Sequence, residues 1–256
     1  MSQTIWTRCA AEPGLRRLRC RVWRVVEGQH VIATRKLVDS LAEHEVLERL
    51  IDGVKPPMPD EPAFVGQHYL LATPFRYPPL QYGSRFGGRF EGGVWYGSMS
   101  TPTALAESAF YRLLLLDGSR GEFGVISSEH SAFRVRLESG RGFDLGWVDL
   151  AEMQPLLSRD DYHQSQAFGR ELRAAGGEVL RFPSVRDPNG GVNVAVFTPV
   201  VFRDRRPDLV EGWSASSDRQ SVVFHRVDVH GATRLEFARA DFTDGDRLPH
   251  PSLSTG

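Results

Sequence analysis

The pattern of hydrophobic and polar positions predicts a mixture of strands and helices. Alternating or short apolar runs predict strands at residues 21–26, 94–96, 133–137, 179–182, 192–197, 221–224 and 233–237. Apolar residues at helical spacing predict helices at residues 36–51, 102–116 and 162–175. The two kinds of element do not alternate regularly as in a doubly wound sheet, so the sequence predicts an α+β fold.

Stretches rich in glycine and proline separate these elements. Residues 74–93 combine Gly, Pro, Arg and aromatic residues with no sustained period, as in a long ordered loop over a site. The sequence DPNGG at residues 187–191 predicts a turn between two strands. Ser100 and Pro102 predict the start of a helix, because a hydroxyl can cap its N-terminus and proline suits its first turn.

Composition and charge narrow the classes of function. The chain has 256 residues, of which 41% are hydrophobic, and its formal net charge of −1 lacks the basic excess of a nucleic-acid binder. The longest apolar stretch, residues 110–116, contains Arg112 and is too short to span a bilayer. The N-terminus lacks the pattern of a signal peptide. We therefore expect a cytoplasmic protein that binds neither nucleic acid nor membrane directly, and whose Cys9 and Cys20 stay reduced.

Arg85 and Arg89 are the first candidates for chemistry. They lie in the sequence GSRFGGRF at residues 83–90, where glycines let the backbone approach a ligand and guanidinium groups suit a phosphate. The structural alternative is a surface turn with two solvated arginines. The glycines fit neither a Rossmann fingerprint nor a P-loop.

Glu107 stands out on the predicted helix because none of its neighbours one turn away is a cation. Those neighbours are Thr103, Ala104, Phe110 and Tyr111. A helical carboxylate usually has a basic partner three or four residues away or faces water. Glu107 is therefore a candidate functional carboxylate that faces a cleft. The alternative is an ordinary exposed glutamate on a helix.

Ser184 and Tyr96 are the remaining candidates. Ser184 follows a predicted strand and could donate a hydrogen bond to a ligand, but no GxSxG sequence surrounds it, so it is a poor candidate nucleophile. Tyr96 lies beside Trp95, and taken in isolation a place in the hydrophobic core explains it at least as well as a functional role. No metal site is indicated, because the eight histidines are scattered and neither cysteine falls in a ligand spacing.

Taken in order, these pieces resemble the RES-domain family, the toxin halves of bacterial toxin–antitoxin pairs. The resemblance covers about residues 22–202. Its motifs are GSRF at 83–86, GVWYG at 93–97, TALAE at 103–107, and FPSVR at 182–186 with GVN at 191–193. Spacing favours Arg85 for the family arginine, because Arg89 would leave too short a loop before Tyr96. Gly87 stands where the family usually has asparagine.

The resemblance implies an ADP-ribosyltransferase-like fold, with a split, mainly antiparallel sheet that binds NAD in a cleft. NAD would be consumed as a substrate, without a metal. Arg85 would hold the NAD phosphates, with Arg89 in reserve for a second contact. Tyr96 would stack on the nicotinamide or ribose, and Ser184 would hydrogen-bond the nicotinamide end. Glu107 would stabilise positive charge developing on the ribose or orient the attacking group.

The resemblance also suggests how the chain is organised. Residues 21–202 would form the NAD-binding catalytic domain, with a helical insertion at 36–74. Residues 1–20 would be an N-terminal extension and residues 203–256 a C-terminal one. We expect the polar tail at 243–256 to be flexible.

Three functions stay open at this point. The first is a toxin that cleaves the nicotinamide–ribose bond of NAD by hydrolysis or phosphorolysis and pairs with an Xre-type helix-turn-helix antitoxin. The second is an ADP-ribosyltransferase that modifies a cellular protein. The third is an inactive module that binds NAD or a partner, and the presence of all four candidate side chains counts against it.

Overall fold

The described residues of this protein contain one sheet of eight strands. The computed structural model describes residues 5–10, 14–28, 56–77, 79–121, 124–229 and 231–253. Within these ranges the strands are β1 (Arg16–Glu27), β2 (Trp95–Ser98), β3 (Ile126–Asp144), β4 (Val179–Pro183), β5 (Val192–Val196), β6 (Leu209–Ser217), β7 (Ser221–Asp228) and β8 (Gly231–Ala238). The helix predicted at residues 36–51 lies outside the described residues.

The same ranges contain α-helices around the sheet. They are α1 (Ile5–Ala10), α2 (Tyr69–Arg76), α3 (Thr101–Gly118), α4 (Leu150–Met153) and α5 (His163–Ala174). α3 and α5 confirm the helices predicted at 102–116 and 162–175. None of the helices in the described ranges is long and apolar enough to cross a membrane.

Strand β3 has neighbours along both of its edges. One edge pairs antiparallel with β1, and the other pairs antiparallel with β6 and then, at residues 142–144, parallel with β4. β1 also meets β2 at Trp23 and Ser98, and β2, β5 and β4 pair in turn. Strands β1, β2, β5, β4 and β3 therefore close a ring, and β6, β7 and β8 continue the sheet beyond it. Every pairing except β3–β4 is antiparallel, so the predicted α+β fold with a mainly antiparallel sheet is confirmed.

The alternating residues of β3 explain how the ring is filled. Phe133, Val135 and Leu137 are buried. Arg134 and Arg136 instead form ion pairs with Asp208 and Asp204, which lie in the segment before β6. Side chains along a strand point alternately to its two faces, so this period of two directs apolar groups into the ring and cations to the outside.

Helix α3 lies between the ring and the outer strands. The hydroxyl of Ser100 caps its N-terminus by accepting a hydrogen bond from the Thr103 amide at 3.2 Å, and Pro102 lies in the first turn, as the sequence predicts. Leu105, Phe110 and Leu113 pack into a core with residues of β6, β7 and β8. Burial of this face fixes the helix and leaves another of its faces for the cleft described below.

The C-terminal residues include buried side chains, although the sequence predicts a flexible tail from residue 243. Leu248 and His250 are 0% and 1% exposed, and a short 3-10 helix, Pro251–Leu253, follows them. Leu248 belongs to the same core as Phe110 and Phe242. The flexibility of the tail stays a prediction, but residues 248–250 are packed in the structure, because the polar composition of this segment conceals apolar anchors that meet the outer sheet and α3.

Replacement of Leu248 by alanine tests this packing. We expect Leu248→Ala to lower the free energy of unfolding by about 2–5 kcal/mol, the usual effect of removing a fully buried leucine. Denaturant titration measures it. Leu253→Ala is the matched control, since Leu253 is 39% exposed. Equal, small effects of the two changes would mean that the tail does not pack on the protein.

Candidate functional site

A cleft of about 530 Å³ opens between α3 and the strands of the ring. One face of α3 lines it with Ala104, Glu107, Ser108, Tyr111, Arg112 and Leu115, which follow the three- and four-residue spacing of a helical face. Residues 23–25 of β1, the loop at 82–85 and Tyr162 form the other walls. The volume falls in the range of small-molecule sites, about 300–1,000 Å³.

Glu107 is held at the cleft by hydrogen bonds to one of its carboxylate oxygens. Oε1 accepts from Ser184 Oγ at 2.7 Å and from Asn193 Nδ2 at 2.5 Å. Ser98 Oγ in turn donates to Asn193 Oδ1 at 2.7 Å, which fixes the orientation of the amide. Among the described residues, Oε2 of Glu107 has no hydrogen-bond partner. The carboxylate is thus oriented through one oxygen and keeps the other for a ligand.

The turn predicted at residues 187–191 brings Ser184 and Asn193 together. It joins β4 to β5, which pair up to Pro183 and Val192, and the Ser184 amide then donates to Gly191 O at 2.7 Å. A Cβ on Gly191 would lie 2.1 Å from Oγ1 of Thr103, so the approach of the turn to α3 requires glycine at this position.

Tyr96 fixes the loop that carries Arg85. Its hydroxyl oxygen accepts a hydrogen bond from the Phe86 amide at 3.0 Å and lies 2.9 Å from Ser84 Oγ. Burial raises the pKa of Tyr96 to about 12, so the phenol stays protonated at neutral pH. The ring also lines the cleft. Tyr96 is therefore both a wall of the cleft and an anchor of the arginine loop.

Arg85 lies in the cleft, 9% exposed. Its Nη1 donates to Ser158 O at 2.6 Å, and its guanidinium lies 4.7 Å from the ring centroid of Tyr162. Among the described residues, its Nε and Nη2 make no hydrogen bond. These donors are available to a ligand in the cleft.

Arg89 does not join the other candidates. It is exposed, and its guanidinium lies 5.3 Å from the ring centroid of Phe90, itself 94% exposed. A backbone hydrogen bond from the Ser84 amide to Gly87 O at 2.7 Å closes a tight turn before Arg89, which is not among the residues that line the cleft. Of the five sequence candidates, the structure brings together Arg85, Tyr96, Glu107 and Ser184.

Ser184 has a different setting from the one expected of a ligand contact. Its hydroxyl donates its single proton to Glu107, and its oxygen accepts from the amides of Arg186 and Asp187 at 3.2 Å and 3.0 Å. In this arrangement no proton is left for the nicotinamide end of a ligand. Ser184 is thus placed to position Glu107.

Sequence reasoning missed three side chains of this cleft. Asn193 enters the sequence argument only within the motif GVN, although a polar residue in the apolar strand β5 is a usable signal. Tyr162 and Arg186 also line the cleft. Their positions depend on contacts with Arg85 and with the C-terminal residues, which no local pattern reveals.

The described residues hold neither a cysteine ionised at neutral pH nor a cluster of metal ligands. Cys9 and Cys20 are free thiols, and burial raises the pKa of each to about 11, so both stay protonated at neutral pH. Within the described ranges, no group of three or more His, Cys, Asp or Glu side chains lies close enough to hold a metal ion.

A mainly antiparallel ring with an oriented glutamate and a buried arginine at one cleft is an arrangement suited to binding and transforming a small anionic molecule. The RES domain family matches residues 63–218. The chain therefore belongs to the RES domain family, and at the level of the family the match supports an NAD-related, toxin-like enzyme function. No curated protein matches the chain.

Replacement of Tyr96 by phenylalanine tests the anchoring of the arginine loop. Tyr96→Phe leaves the buried Phe86 amide without its acceptor, so we expect a loss of about 1–3 kcal/mol of stability and faster hydrogen exchange at that amide. Tyr69→Phe is the control, because Tyr69 is 60% exposed. Unchanged exchange at Phe86 would refute the anchoring role.

Proposed function

We propose that this protein binds NAD in the cleft and breaks the bond between nicotinamide and ribose, with water or phosphate as acceptor. The observation that carries the proposal is the carboxylate of Glu107, which Ser184 and Asn193 orient through one oxygen beside a cleft lined by arginines. Family membership supports the NAD-related class, and the geometry supports the choice of reaction.

The charges of the cleft match those of a dinucleotide. The lining residues Arg24, Arg85, Arg112, Arg186, Glu27 and Glu107 are charged. Arg112 and Glu27 pair with each other at 2.7 Å, which leaves three arginines and Glu107. Arg24 donates to Tyr96 O at 2.7 Å, and burial lowers its pKa to about 10, so it stays charged at neutral pH. The remaining excess of positive charge suits a diphosphate.

Glu107 acts where positive charge develops. As the C–N bond lengthens, its electron pair leaves with nicotinamide, which departs as a neutral base, and the ribose becomes oxocarbenium-like. A fixed carboxylate stabilises this charge without reorganising during the reaction. Water or phosphate then forms a bond to the same ribose carbon, and attack by water releases a proton, which Glu107 can accept.

The other residues bind and orient. The free donors of Arg85 hold the phosphates, since its fork matches phosphate oxygens. The ring of Tyr96 gives the nicotinamide or ribose a face to stack on. Ser184 keeps Glu107 in place, and this role replaces the contact with nicotinamide expected from the family resemblance.

Transfer to a protein is the second candidate, and the rim of the cleft favours it. Leu80, Tyr111 and Leu115 line the cleft yet are 61%, 50% and 61% exposed. An apolar rim of this kind can contact a protein that presents an acceptor side chain. The toxin role, the Xre-type antitoxin and a cytoplasmic setting belong to the same proposal and are supported by family membership alone.

Product analysis tests the function. The purified chain is incubated with NAD, with and without inorganic phosphate and cell lysate, and nicotinamide and ADP-ribose products are followed by chromatography and mass spectrometry. Free ADP-ribose identifies water as acceptor, its 1″-phosphate identifies phosphate, and a mass increase on a protein identifies transfer. Folded protein that binds NAD but releases no nicotinamide under any condition would make this chain a binding module.

We expect Glu107→Gln to slow nicotinamide release by about 100-fold or more, because the variant keeps the size and the acceptor oxygen of the side chain but loses its charge. NAD binding and the melting temperature should stay close to those of the wild type. Glu236→Gln, an exposed glutamate of β8 paired with Arg234, is the control. Nicotinamide release at the wild-type rate from Glu107→Gln would overturn the role of Glu107.

The two arginines of the glycine loop give a second test. We expect Arg85→Ala to weaken NAD binding by about tenfold or more, because it removes charged donors to phosphate. Arg89→Ala should leave the affinity near that of the wild type, since Arg89 lies outside the cleft. Calorimetric titration measures the affinity of both variants for NAD. A larger loss of affinity in Arg89→Ala than in Arg85→Ala would assign the phosphate contact to Arg89.

A further inference from the structure

Two buried arginines share one end of the cleft. Arg85 and Arg186 are 9% and 3% exposed, both line the cleft, and Tyr162 lies beside both. Burial lowers the pKa of Arg186, and the nearby charge of Arg85 lowers it further. Neither forms a salt bridge with a described carboxylate; both donate to backbone carbonyls instead. Two like charges held together in a low-dielectric wall favour an anion between them.

Arg186 has an unused donor. Its Nη2 donates to Pro249 O at 2.7 Å and to Arg159 O at 2.5 Å, and its guanidinium lies 3.8 Å from the ring centroid of Phe110. Its Nη1 is buried and has no partner at good hydrogen-bond geometry among the described residues; the hydroxyl of Tyr162 is the polar side chain that interacts with this guanidinium. Leaving a charged donor unsatisfied inside a protein is costly, so such a group at a cleft wall points to a ligand.

The C-terminal segment, residues 249–250, holds Arg186 in this position. His250 packs edge-on against Tyr82 at 4.9 Å, Tyr111 at 5.8 Å and Tyr162 at 6.1 Å, all of which line the cleft. Burial lowers the pKa of His250 to about 4, so the ring is neutral and adds no charge beside the arginines. This segment lies outside the residues that match the family, 63–218.

We propose that Arg186 and Arg85 together form a subsite for a diphosphate, and that the C-terminal segment is part of the site because it holds Arg186 there. The diphosphate of NAD would occupy the subsite, so this assignment to a substrate rests on the proposed function. The C-terminal segment is a positioning element, and Arg186 is the binding residue.

Titration with two probes tests the subsite. Calorimetry measures the affinity of the full chain for ADP-ribose and for inorganic pyrophosphate. We expect Arg186→Gln to weaken both by tenfold or more, because a charged hydrogen bond to phosphate is lost. Arg186→Lys should recover part of the affinity, since it keeps the charge without the fork. Wild-type affinity for both probes in Arg186→Gln would overturn the subsite.

Arg219→Gln is the matched control. Arg219 also shares its Nη2 between two backbone carbonyls, those of Ser119 and Gly121, but it does not line the cleft. Equal losses of affinity in the two glutamine variants would mean that Arg186 acts only through stability. If Arg186→Gln does not fold, comparison of Arg186→Lys with the wild type carries the test, and no difference between them for either probe would count against the subsite.

A double-mutant cycle tests the role of the segment. We expect His250→Ala to weaken ADP-ribose binding about tenfold in the wild-type background and to have little further effect in Arg186→Gln, because it acts through Arg186. Equal effects in both backgrounds would overturn the positioning role.

Failure of the subsite and failure of the proposed function are distinguishable. A wild-type chain that releases no nicotinamide but binds pyrophosphate through Arg186 would retain the subsite and lose the NAD reaction. A chain that releases nicotinamide while Arg186→Gln keeps both the KM for NAD and the affinity for ADP-ribose would retain the reaction and lose the subsite. Wild-type protein that binds neither probe would overturn the subsite outright.

Discussion

The two hydrogen bonds to Oε1 of Glu107 connect the parts of the fold on which the site depends. Ser184 directly follows β4, Asn193 lies near the start of β5, and Glu107 lies on α3, so the carboxylate is oriented only when the hairpin and the helix are both in register. A shift of either strand by one residue would turn its polar group to the opposite face. Closure of the ring through β3 resists such a shift, since β4 is paired on both edges.

The arginine loop has a different kind of support. Arg85 lies in a segment without regular structure, yet its position is determined by the phenol of Tyr96 on one side and by the ring of Tyr162 on the other. A side chain held by packing and hydrogen bonds loses little conformational entropy when a ligand arrives. The glycines of the loop therefore allow its backbone conformation, while the guanidinium of Arg85 is held in a fixed position.

Sequence patterns predicted the elements that have a strong local signal. α3 has its cap and proline, and β3 has its alternating run, so both follow from the sequence. β6 (Leu209–Ser217) was missed because only its later residues are buried in alternation, and it forms because β3 and β7 flank it. The family resemblance brought Arg85, Tyr96, Glu107 and Ser184 into one group. It could not show that the proton of Ser184 goes to Glu107 or that Arg89 turns away, because both depend on three-dimensional contacts.

The pair of arginines explains how C-terminal residues outside the family match support the cleft without lining it. Arg85 and Arg186 are both buried and repel each other, which favours movement of Arg186 toward solvent. The turn after β4 alone would not prevent this movement. The carbonyl of Pro249 and the face of Phe110 oppose this by giving the guanidinium a hydrogen bond and a cation–π contact. His250, packed among the cleft aromatics, keeps that carbonyl in place. A site assembled in this way keeps two cations ready for an anion, and its affinity depends on the C-terminal residues as well as on the family motifs.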